Sequence, residues 1–504
     1  MSNKDVIRDA SVLGFPKMLL LGLQHMFAMF GATILVPILV NEYFKDEGLS
    51  VQVTLFCAGI GTLIFHFISK RMVPAFLGSS FAFLGGFATI ANLDTGIYKN
   101  MTMGEKLPYA CGGIVVAGLI YILLALVIKL VGVKKVMRFL PPVVTGPIII
   151  CIGLSLASSA VANAKTNLIL AILAFSIVVI FNIWGKGMFK IIPILLGVVI
   201  SYVVALGMNA FDMTNADGSA ILNLSSIASA NWIELQPFQM CKFDITAILV
   251  MAPIAIATVM EHIGDMSAIS ATVGKNYIEK PGLHRTLIGD GLATSLAGFM
   301  GGPANTTYGE NTGVLELSKV HDPKVVRIAA IYAILLSFSP KVAAVIGALP
   351  TAIIGGISFI LYGMISAIGV RNVVENKVDF TKSRNLIIAA VILVSGLGFS
   401  EGITFKIAGT SITLTALAIA ALLGIIMNAI LPGKDYEFEM AEENEDNGNS
   451  NNGNSDMNVK VTNTKKNKLE DIENKLEDIE ISAIRKIRRK CTSILSMVIG
   501  KNRI

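Results

Sequence analysis

The feature that most constrains the fold is a succession of apolar runs, most of them long enough to cross a lipid bilayer. Hydrophobic residues make up 54% of the 504 positions and charged residues only 15%, whereas a soluble domain carries about 25% charged residues. Eleven runs approach or exceed the ~20 residues that a spanning helix needs: 17–40, 51–68, 109–130, 142–164, 168–183, 191–208, 245–259, 325–349, 351–368, 386–398 and 412–431. Three weaker runs, at 73–90, 286–300 and 305–317, are broken by Gly, Pro or polar residues. We therefore predict an all-α integral membrane protein with fourteen spans.

Basic residues predict the orientation of these spans. They cluster in every second loop, at 4–17, 70–71, 134–138, 186–190, 275–285, 319–327, 371–384 and after 434. The intervening loops 41–50 and 209–242 contain no Arg. Because Lys and Arg are enriched in cytoplasmic loops, both termini are predicted to be cytoplasmic in a multi-pass protein of the plasma membrane. The net charge of +6 thus reflects topology, and a nucleic-acid partner is not expected.

Several classes of site are not supported by the sequence. The five cysteines are scattered and lack the CxxC spacing, so neither a disulfide framework nor a metal site is indicated. We find no nucleophile–base set, and we expect neither an enzyme nor a cofactor. The N-terminal apolar run is too long for a cleavable signal peptide, and no small-residue cleavage site follows it.

The chain divides into two membrane halves and a tail. The longest polar stretch between spans, 209–242, is predicted to be an extracellular connection between a first seven-span repeat (1–208) and a second one (243–433). Each half contains a segment interrupted by polar residues, Pro-Ala-Phe-Leu-Gly-Ser-Ser-Phe-Ala-Phe at 74–83 and Pro-Ala-Asn-Thr-Thr-Tyr-Gly-Glu-Asn at 303–311. Such a pair points to an inverted-repeat transporter whose site lies near the middle of the membrane. The alternative for Gly78–Ser80 is that small residues only let helices pack closely.

Residues 434–504 form a predicted cytoplasmic tail. Residues 442–458 are acidic and rich in Asn and Gly, as in disordered segments. Two tandem heptads follow at 467–480, with an apolar stripe of Leu469, Ile472, Leu476 and Ile479, which predicts a short amphipathic helix. The basic run at 485–490 could instead rest on an anionic membrane surface.

Ionisable residues inside spans are the first candidates for function, because burying a charge in the bilayer is costly. Glu261 and Asp265 are four residues apart and share one helix face, although Asp265 could equally be a solvated residue at a helix end. Glu310 lies in the broken segment of the second half. His25 lies in the first span and is either a satisfied core residue or a hydrogen-bond partner of an acid.

These residues suggest a small polar ligand that carries both N–H donors and carbonyl acceptors. Carboxylates accept hydrogen bonds from N–H groups with charge-assisted strength. The backbone N–H groups of a half-helix that starts near Glu310 can donate to carbonyl oxygens, and a planar ring can stack on Phe81 or Tyr308. A buried acid could also take up and release a coupling proton.

Five motifs give the chain a resemblance to a known family. They are Gln-His-Met-Phe-Ala-Met-Phe-Gly-Ala-Thr at 24–33, the segment 74–83, Glu-His-Ile-Gly at 261–264, Pro-Gly-Leu-His-Arg at 281–285, and Thr-Thr-Tyr-Gly-Glu-Asn-x-Gly at 306–313. From about residue 12 to 431 the chain resembles the nucleobase–ascorbate transporter (nucleobase–cation symporter) family, and within it the uracil carriers. The resemblance implies two inverted seven-span repeats, a core and a gate domain, short antiparallel strands in spans 3 and 10, and proton-coupled uptake by alternating access.

The resemblance also implies two groups of site residues. The substrate-binding group is Ala32, Phe81, Glu261, Tyr308, Gly309 and Glu310. The group that supports the acids or couples the proton is His25, Asp265 and Asn311. Glu at position 310 is typical of uracil carriers in this family, whereas Gln is typical of several xanthine and urate carriers. Asp265 departs from the His of the uracil carriers, which leaves its coupling role open.

Uracil:proton symport is the leading hypothesis for function. The alternatives are a carrier of xanthine or another purine on the same fold, and an anion carrier, against which two acids at the site argue. The expected partners are the nucleobase, a proton, the lipid bilayer and a second copy of the chain in a homodimer.

Overall fold

The first half of the chain consists of helices and one short strand. The computed structural model describes residues 6–45, 47–399, 402–407 and 410–433. The elements of this half are α1 (Phe15–Phe44), α2 (Val51–Ile68), β1 (Leu77–Ser79), α3 (Leu84–Ala91), α4 (Met103–Val131), α5 (Val133–Met137), α6 (Pro142–Ser155), α7 (Ala157–Lys165), α8 (Leu168–Trp184), α9 (Met188–Ile191) and α10 (Pro193–Ala210). A 3-10 turn at Phe81–Phe83 joins β1 to α3.

The second half repeats the strand–helix pattern and adds a hairpin. The connection contains α11 (Ser225–Ser229). The elements that follow are α12 (Ile245–Met251), α13 (Ile254–Val273), α14 (Leu283–Phe299), β2 (Asn305–Thr307), α15 (Gly309–Ser318), α16 (Pro323–Ser337), α17 (Pro340–Gly347), α18 (Thr351–Glu375), α19 (Ser383–Gly398), β3 (Ile403–Ile407), β4 (Thr410–Leu414) and α20 (Ala416–Ile430). The predicted tail lies outside the described residues.

The elements group into the expected fourteen segments. Within the described residues, seven helical stretches are long and apolar enough to cross a membrane, and α16 with α17, bent by 87°, forms an eighth candidate. Four shorter apolar helices add to these, namely α8, α19, α20 and α3 with its preceding turn. The remaining two segments are α14 and the β2–α15 unit. The strand–helix units β1–α3 and β2–α15 therefore stand third in each half, as the inverted repeat predicts.

The strands β1 and β2 pair with each other and join the two halves. They are antiparallel, with Leu77 opposite Thr307, Gly78 opposite Thr306 and Ser79 opposite Asn305. The ladder continues beyond the strands, since Ser80 N donates to Ala304 O at 2.8 Å and Tyr308 N donates to Phe76 O at 3.0 Å. Pairing of this kind satisfies backbone groups that would otherwise be costly in hydrocarbon. The prediction of short antiparallel strands in spans 3 and 10 is confirmed.

The polar residue that starts the second broken segment braces the fold. Asn305 is 1% exposed, and its Nδ2 donates to Cys57 O at 3.1 Å and to Ala293 O at 3.5 Å. Its own carbonyl accepts from Thr294 Oγ1 at 3.0 Å. Asn305 therefore ties β2 to α2 and α14, where its side chain satisfies carbonyl groups in the membrane interior.

Two of the predicted spans have a different internal structure. The first three residues of the run 412–431 belong to strand β4, which pairs with β3, and α20 begins only after Thr415, whose side chain accepts from Ala418 N. The β-branched residues Thr410, Ile412 and Thr413 favour the strand. The run 325–349 bends between α16 and α17 because Pro340 cannot continue the helix and Ser339 caps a new one through Val342 N.

An N-terminal strap, residues 6–13, packs against the loop that follows α15. Ile7 N donates to Lys319 O, and His321 N donates to Ile7 O, both at 2.9 Å. Ala10 N donates to Asp322 Oδ2 at 2.8 Å. The start of the first span and the end of the tenth therefore lie on the same side of the membrane, in agreement with the distribution of basic residues.

A surface ion pair in this strap leads to a prediction about pH. Lys324 Nζ donates to Asp9 Oδ1 at 2.8 Å, and this hydrogen bond lowers the pKa of Asp9 from 3.8 to about 2. Because the pKa of Asp9 is lower in the folded protein, its contribution is present above about pH 3.8 and is lost only as the pH falls through about 2. We expect Asp9→Asn to lower the melting temperature by no more than about 2 °C, equally at pH 5 and pH 8. Asp94→Asn, at another exposed acid, is the control, and a decrease that differs between these pH values would contradict the assignment.

Candidate functional site

The two broken segments and α13 enclose a small inner cavity of about 30 Å³. Its wall includes Phe81, Glu261, Asp265, Tyr308, Gly309 and Glu310. These residues come from three places that are distant in sequence: the turn after β1, the middle of α13 and the start of α15. The structure thus brings together six of the nine residues predicted for the site.

Glu261 and Asp265 lie on the same face of α13, as their spacing predicts. Asp265 is 5% exposed, and its Oδ2 accepts a hydrogen bond from Thr307 Oγ1 at 2.6 Å. The alternative that Asp265 is a solvated helix-end residue is therefore wrong. Among the described residues, Glu261 Oε2 is buried without a hydrogen-bond partner. A buried acceptor in this state is strongly favoured to bind a donor, such as an N–H group of a ligand.

The N-terminus of α15 supplies donors beside these acids. Tyr308 is the N-cap residue and makes no side-chain cap bond, and Glu310 lies in the first turn. The first N–H groups of a helix lack intrahelical acceptors, and the dipole of the helix favours negative charge at this end. Gly309 and Glu310 both line the cavity. The site therefore combines carboxylate acceptors with helix N-terminal donors.

Tyr308 mainly stabilises the pairing of strands β1 and β2. Its hydroxyl donates to Ser79 O at 2.9 Å and lies 3.2 Å from Ser79 Oγ and 3.3 Å from Thr33 Oγ1. Its ring packs directly against Gly78, where an added Cβ would overlap the ring carbons. The close approach explains why this position is Gly. Phe81 is the freer aromatic wall, and its ring meets Tyr362 edge-on with centroids 5.8 Å apart.

His25 and Ala32 occupy positions different from those expected. His25 is fully buried and contacts Asn311, whose Nδ2 lies 3.2 Å from His25 Nδ1 and donates to His25 O at 3.0 Å. The contact of His25 is thus with the first turn of α15, and any support of the acids runs through Asn311. Ala32 is also fully buried and does not line the inner cavity within the described chain.

A buried pair that sequence reasoning missed lies behind the acids. His262 Nδ1 and Asp290 Oδ2 are 2.8 Å apart, and both side chains are fully buried. The pair connects α13 to α14. Asp290 lies in a weakly apolar run, and the rule that charges inside spans are functional would have identified it there. The partner, His262, follows Glu261 directly and so points to another face of the helix.

A larger chamber of about 330 Å³ adjoins the inner cavity. Gly309, Glu310 and Ile368 line both spaces. The remaining wall comes from α1, α15, α18 and the region around α9, and it includes Lys190 and Arg371. The chamber volume falls in the range of ~300–1,000 Å³ that is usual for ligand sites, whereas the inner cavity is only about a tenth as large.

The sequence of the chain is similar to that of known proteins of one family. The profile of the Permease family (Xan_ur_permease) matches residues 16–405. Relatives include the uracil permease of Bacillus caldolyticus, 40% identical over 461 residues that cover 88% of this chain and 99% of the relative. The uracil permease of Bacillus subtilis is 39% identical, over 84% of this chain and 94% of the relative. The uracil permease of Escherichia coli K12 is 35% identical, with 81% and 90% covered.

Solved structures support the fold. The transmembrane domain of the cyanobacterial bicarbonate transporter BicA superposes with a TM-score of 0.54 at 14% identity, covering 84% of this chain and 99% of that domain. The murine anion transporter Slc26a9 in its inward-facing state superposes with a TM-score of 0.56 at 12% identity, covering 85% of this chain and 69% of that one. The fold is that of two inverted seven-span repeats. The chain is accordingly a member of the permease family to which the bacterial uracil permeases belong.

Proposed function

We propose that the chain is a uracil:proton symporter of the plasma membrane that works by alternating access. The observation that carries this proposal is the inner cavity, where the carboxylates of Glu261 and Glu310 line the same small space as the N-terminus of α15. The relatives are named uracil permeases, and two acids with adjacent N–H donors suit a ring that carries both N–H and carbonyl groups.

In the proposed complex, Glu261 and Glu310 accept hydrogen bonds from the N–H groups of the base, because charge-assisted bonds of this kind are the strongest available there. The backbone N–H groups of Gly309 and Glu310 donate to its carbonyl oxygens. Phe81 packs against the plane of the ring. Asn311, held by His25, fixes the first turn of α15 so that these donors stay in place.

Alternating access is proposed from the sizes of the two spaces. The inner cavity, at about 30 Å³, is too small for a base, whereas the chamber reaches Gly309 and Glu310 from one side. Ile365 and Ile368 of α18 also line the inner cavity. Movement of α18 relative to α13 and α15 would enlarge the inner cavity for the base and then expose it to either side. With both termini cytoplasmic, the chamber belongs to an inward-facing form. The homodimer remains a prediction.

Proton coupling is assigned to the acids of α13. Glu261 and Asp265 lie one turn apart in an interior of low dielectric, where two ionised carboxylates repel each other strongly. Uptake of one proton relieves this repulsion, and its release completes the cycle. Thr307, which donates to Asp265, is the last residue of β2 and so connects the proposed proton-binding acids to Tyr308 and the start of α15.

The coupling role of Asp265 gives a testable prediction. Asp265→Asn keeps an oxygen that accepts from Thr307 but cannot ionise. Because the hydrogen bond from Thr307 is retained, we expect the affinity for uracil to change by less than about threefold, which is ~0.7 kcal/mol of binding free energy. Uptake into proteoliposomes should lose its response to a pH gradient. Asp265→His, which can titrate near neutral pH, is expected to restore the response. Full pH-driven uptake by Asp265→Asn would remove Asp265 from the coupling step.

Substrate choice is tested by equilibrium binding of uracil and xanthine to the purified protein. We expect uracil to bind at least about tenfold more tightly, because one unpaired buried polar group costs ~1–3 kcal/mol when the wrong base is bound. Tighter binding of xanthine would favour the purine alternative. Bicarbonate or another anion that displaced uracil would favour an anion carrier.

A further inference from the structure

The chamber is larger than a nucleobase requires, and its charged residues are of opposite sign. It measures about 330 Å³ and is lined by Glu310, Lys190 and Arg371. Glu310 also lines the inner cavity, but the two cations do not. A ligand that filled the chamber would therefore meet an acid and helix N–H groups at one end and two cations elsewhere on the wall.

The position of Arg371 follows from its helix. Ile368 lines both spaces, and Arg371 comes three residues later on α18, which is about 4.5 Å further along the helix axis. Arg371 Nε donates to Glu375 Oε1 at 2.6 Å. This bond uses one edge of the guanidinium and leaves further N–H groups on its other nitrogens. The Arg371 side chain is 47% exposed, so it is accessible to a solute.

Lys190 provides the second cation from the first repeat. It is the penultimate residue of the short helix α9, shortly before α10 starts at Pro193, and its side chain is exposed. Arg binds phosphate oxygens through two parallel bonds, and Lys adds a mobile positive charge. Such a pair matches a phosphate group better than it matches a neutral base.

We infer that the chamber binds a pyrimidine nucleoside monophosphate, with its base at Gly309 and Glu310 and its phosphate between Lys190 and Arg371. This inference rests on the proposed function, because the same residues would hold the base of the transported substrate. Arg371 lies about 4.5 Å beyond Ile368 along the axis of α18, and the ribose would occupy this interval between the base and the phosphate. A nucleotide held in this way fills the chamber and keeps α18 from closing on α15.

The consequence is inhibition from the chamber side by a compound that is itself not transported. The inner cavity cannot enclose the ribose and phosphate, so the carrier would stay in one conformation while the nucleotide is bound. The class of reaction that attaches a ribose phosphate to an imported base would produce such an inhibitor in the cytoplasm.

The experiment is displacement of labelled uracil from the purified full-length chain by uridine 5′-monophosphate, uridine and inorganic phosphate. We expect the monophosphate to compete at least about tenfold better than uridine at low ionic strength, and this advantage to shrink in high salt. Inorganic phosphate alone should not displace uracil. In proteoliposomes, the monophosphate should inhibit from one side of the membrane only.

Variants locate the phosphate. Lys190→Gln and Arg371→Gln should each reduce the ratio of monophosphate to uridine affinity to below about threefold. Lys186→Gln, which removes an exposed basic residue of the same loop that does not line the chamber, should leave the ratio unchanged. Equal competition by uridine and its monophosphate, or a ratio that survives in both variants, would overturn the inference. If uracil itself does not bind, the proposed function fails; if it binds but the monophosphate has no advantage, only the present inference fails.

Discussion

Glu310→Ala is expected to lower the affinity for uracil by about 100-fold or more and to abolish uptake. The variant removes a carboxylate that lines both the inner cavity and the chamber. A hydrogen bond to a charged group contributes ~1.5–3 kcal/mol, and the lost acceptor also leaves the N–H of the base unpaired. Binding to purified protein and uptake into proteoliposomes measure the two effects separately.

The controls for this prediction come from the same helix. Glu316→Ala removes an exposed acid near the other end of α15 and should leave uracil binding unchanged. Glu310→Gln keeps the size and one acceptor oxygen but replaces the other by a donor, so an intermediate loss of about tenfold is expected. Glu261→Ala should match Glu310→Ala. Normal uptake by either alanine variant would refute the assignment of the acids.

Gly78→Val is expected to disrupt the pairing of strands β1 and β2. Any Cβ at this position overlaps the ring of Tyr308, and the ring cannot move aside because its hydroxyl is bound to Ser79 and Thr33. Overpacking of a well-packed interior costs ~1–3 kcal/mol, and here it also separates Gly78 from Thr306 in the ladder. We expect a fall of several degrees in melting temperature together with loss of uracil binding.

Gly85→Ala is the matched control, because it lies in the same segment but has open space around it. Alanine favours a helix over glycine by ~1 kcal/mol, so this variant should be as stable as the parent or slightly more so. If Gly78→Val retained both the melting temperature and the uracil affinity of the parent, the close contact with Tyr308 would not be required for the site.

Parts of the fold could be predicted because they depend on rules that act locally along the chain. A run of about 20 apolar residues predicts a span wherever it occurs. The interrupted segments at 74–83 and 303–311 predict broken spans because Gly, Pro and polar residues weaken a helix in lipid. The bend after Ser337 lies inside the run 325–349, although Pro340 was a signal for it. The hairpin β3–β4 was missed because the end of β4 was counted in the run 412–431, although the β-branched residues of Thr410–Leu414 were a signal for a strand.

The site was predictable to a similar extent. Glu261, Asp265 and Glu310 were identified because an ionisable residue inside a span is energetically costly and is therefore usually functional. The partner of each polar group was not predictable. Asn305 belongs to the broken segment 303–311, yet its side chain contacts Cys57 O and Ala293 O. His25, one predicted partner of the acids, instead contacts Asn311.

The sequence by itself determined that the chain spans a membrane in two comparable halves, each with a broken third segment, and that acids lie in or directly after its apolar runs. Only the tertiary structure decided which of these acids meet, since Glu261 and Glu310 are separated by 48 intervening positions and Gly78 meets Tyr308 across the two repeats. The physical reason is that span formation depends on the transfer of each segment into lipid, which neighbouring residues determine. The pairing of buried polar groups depends on how distant helices pack, which no single segment determines.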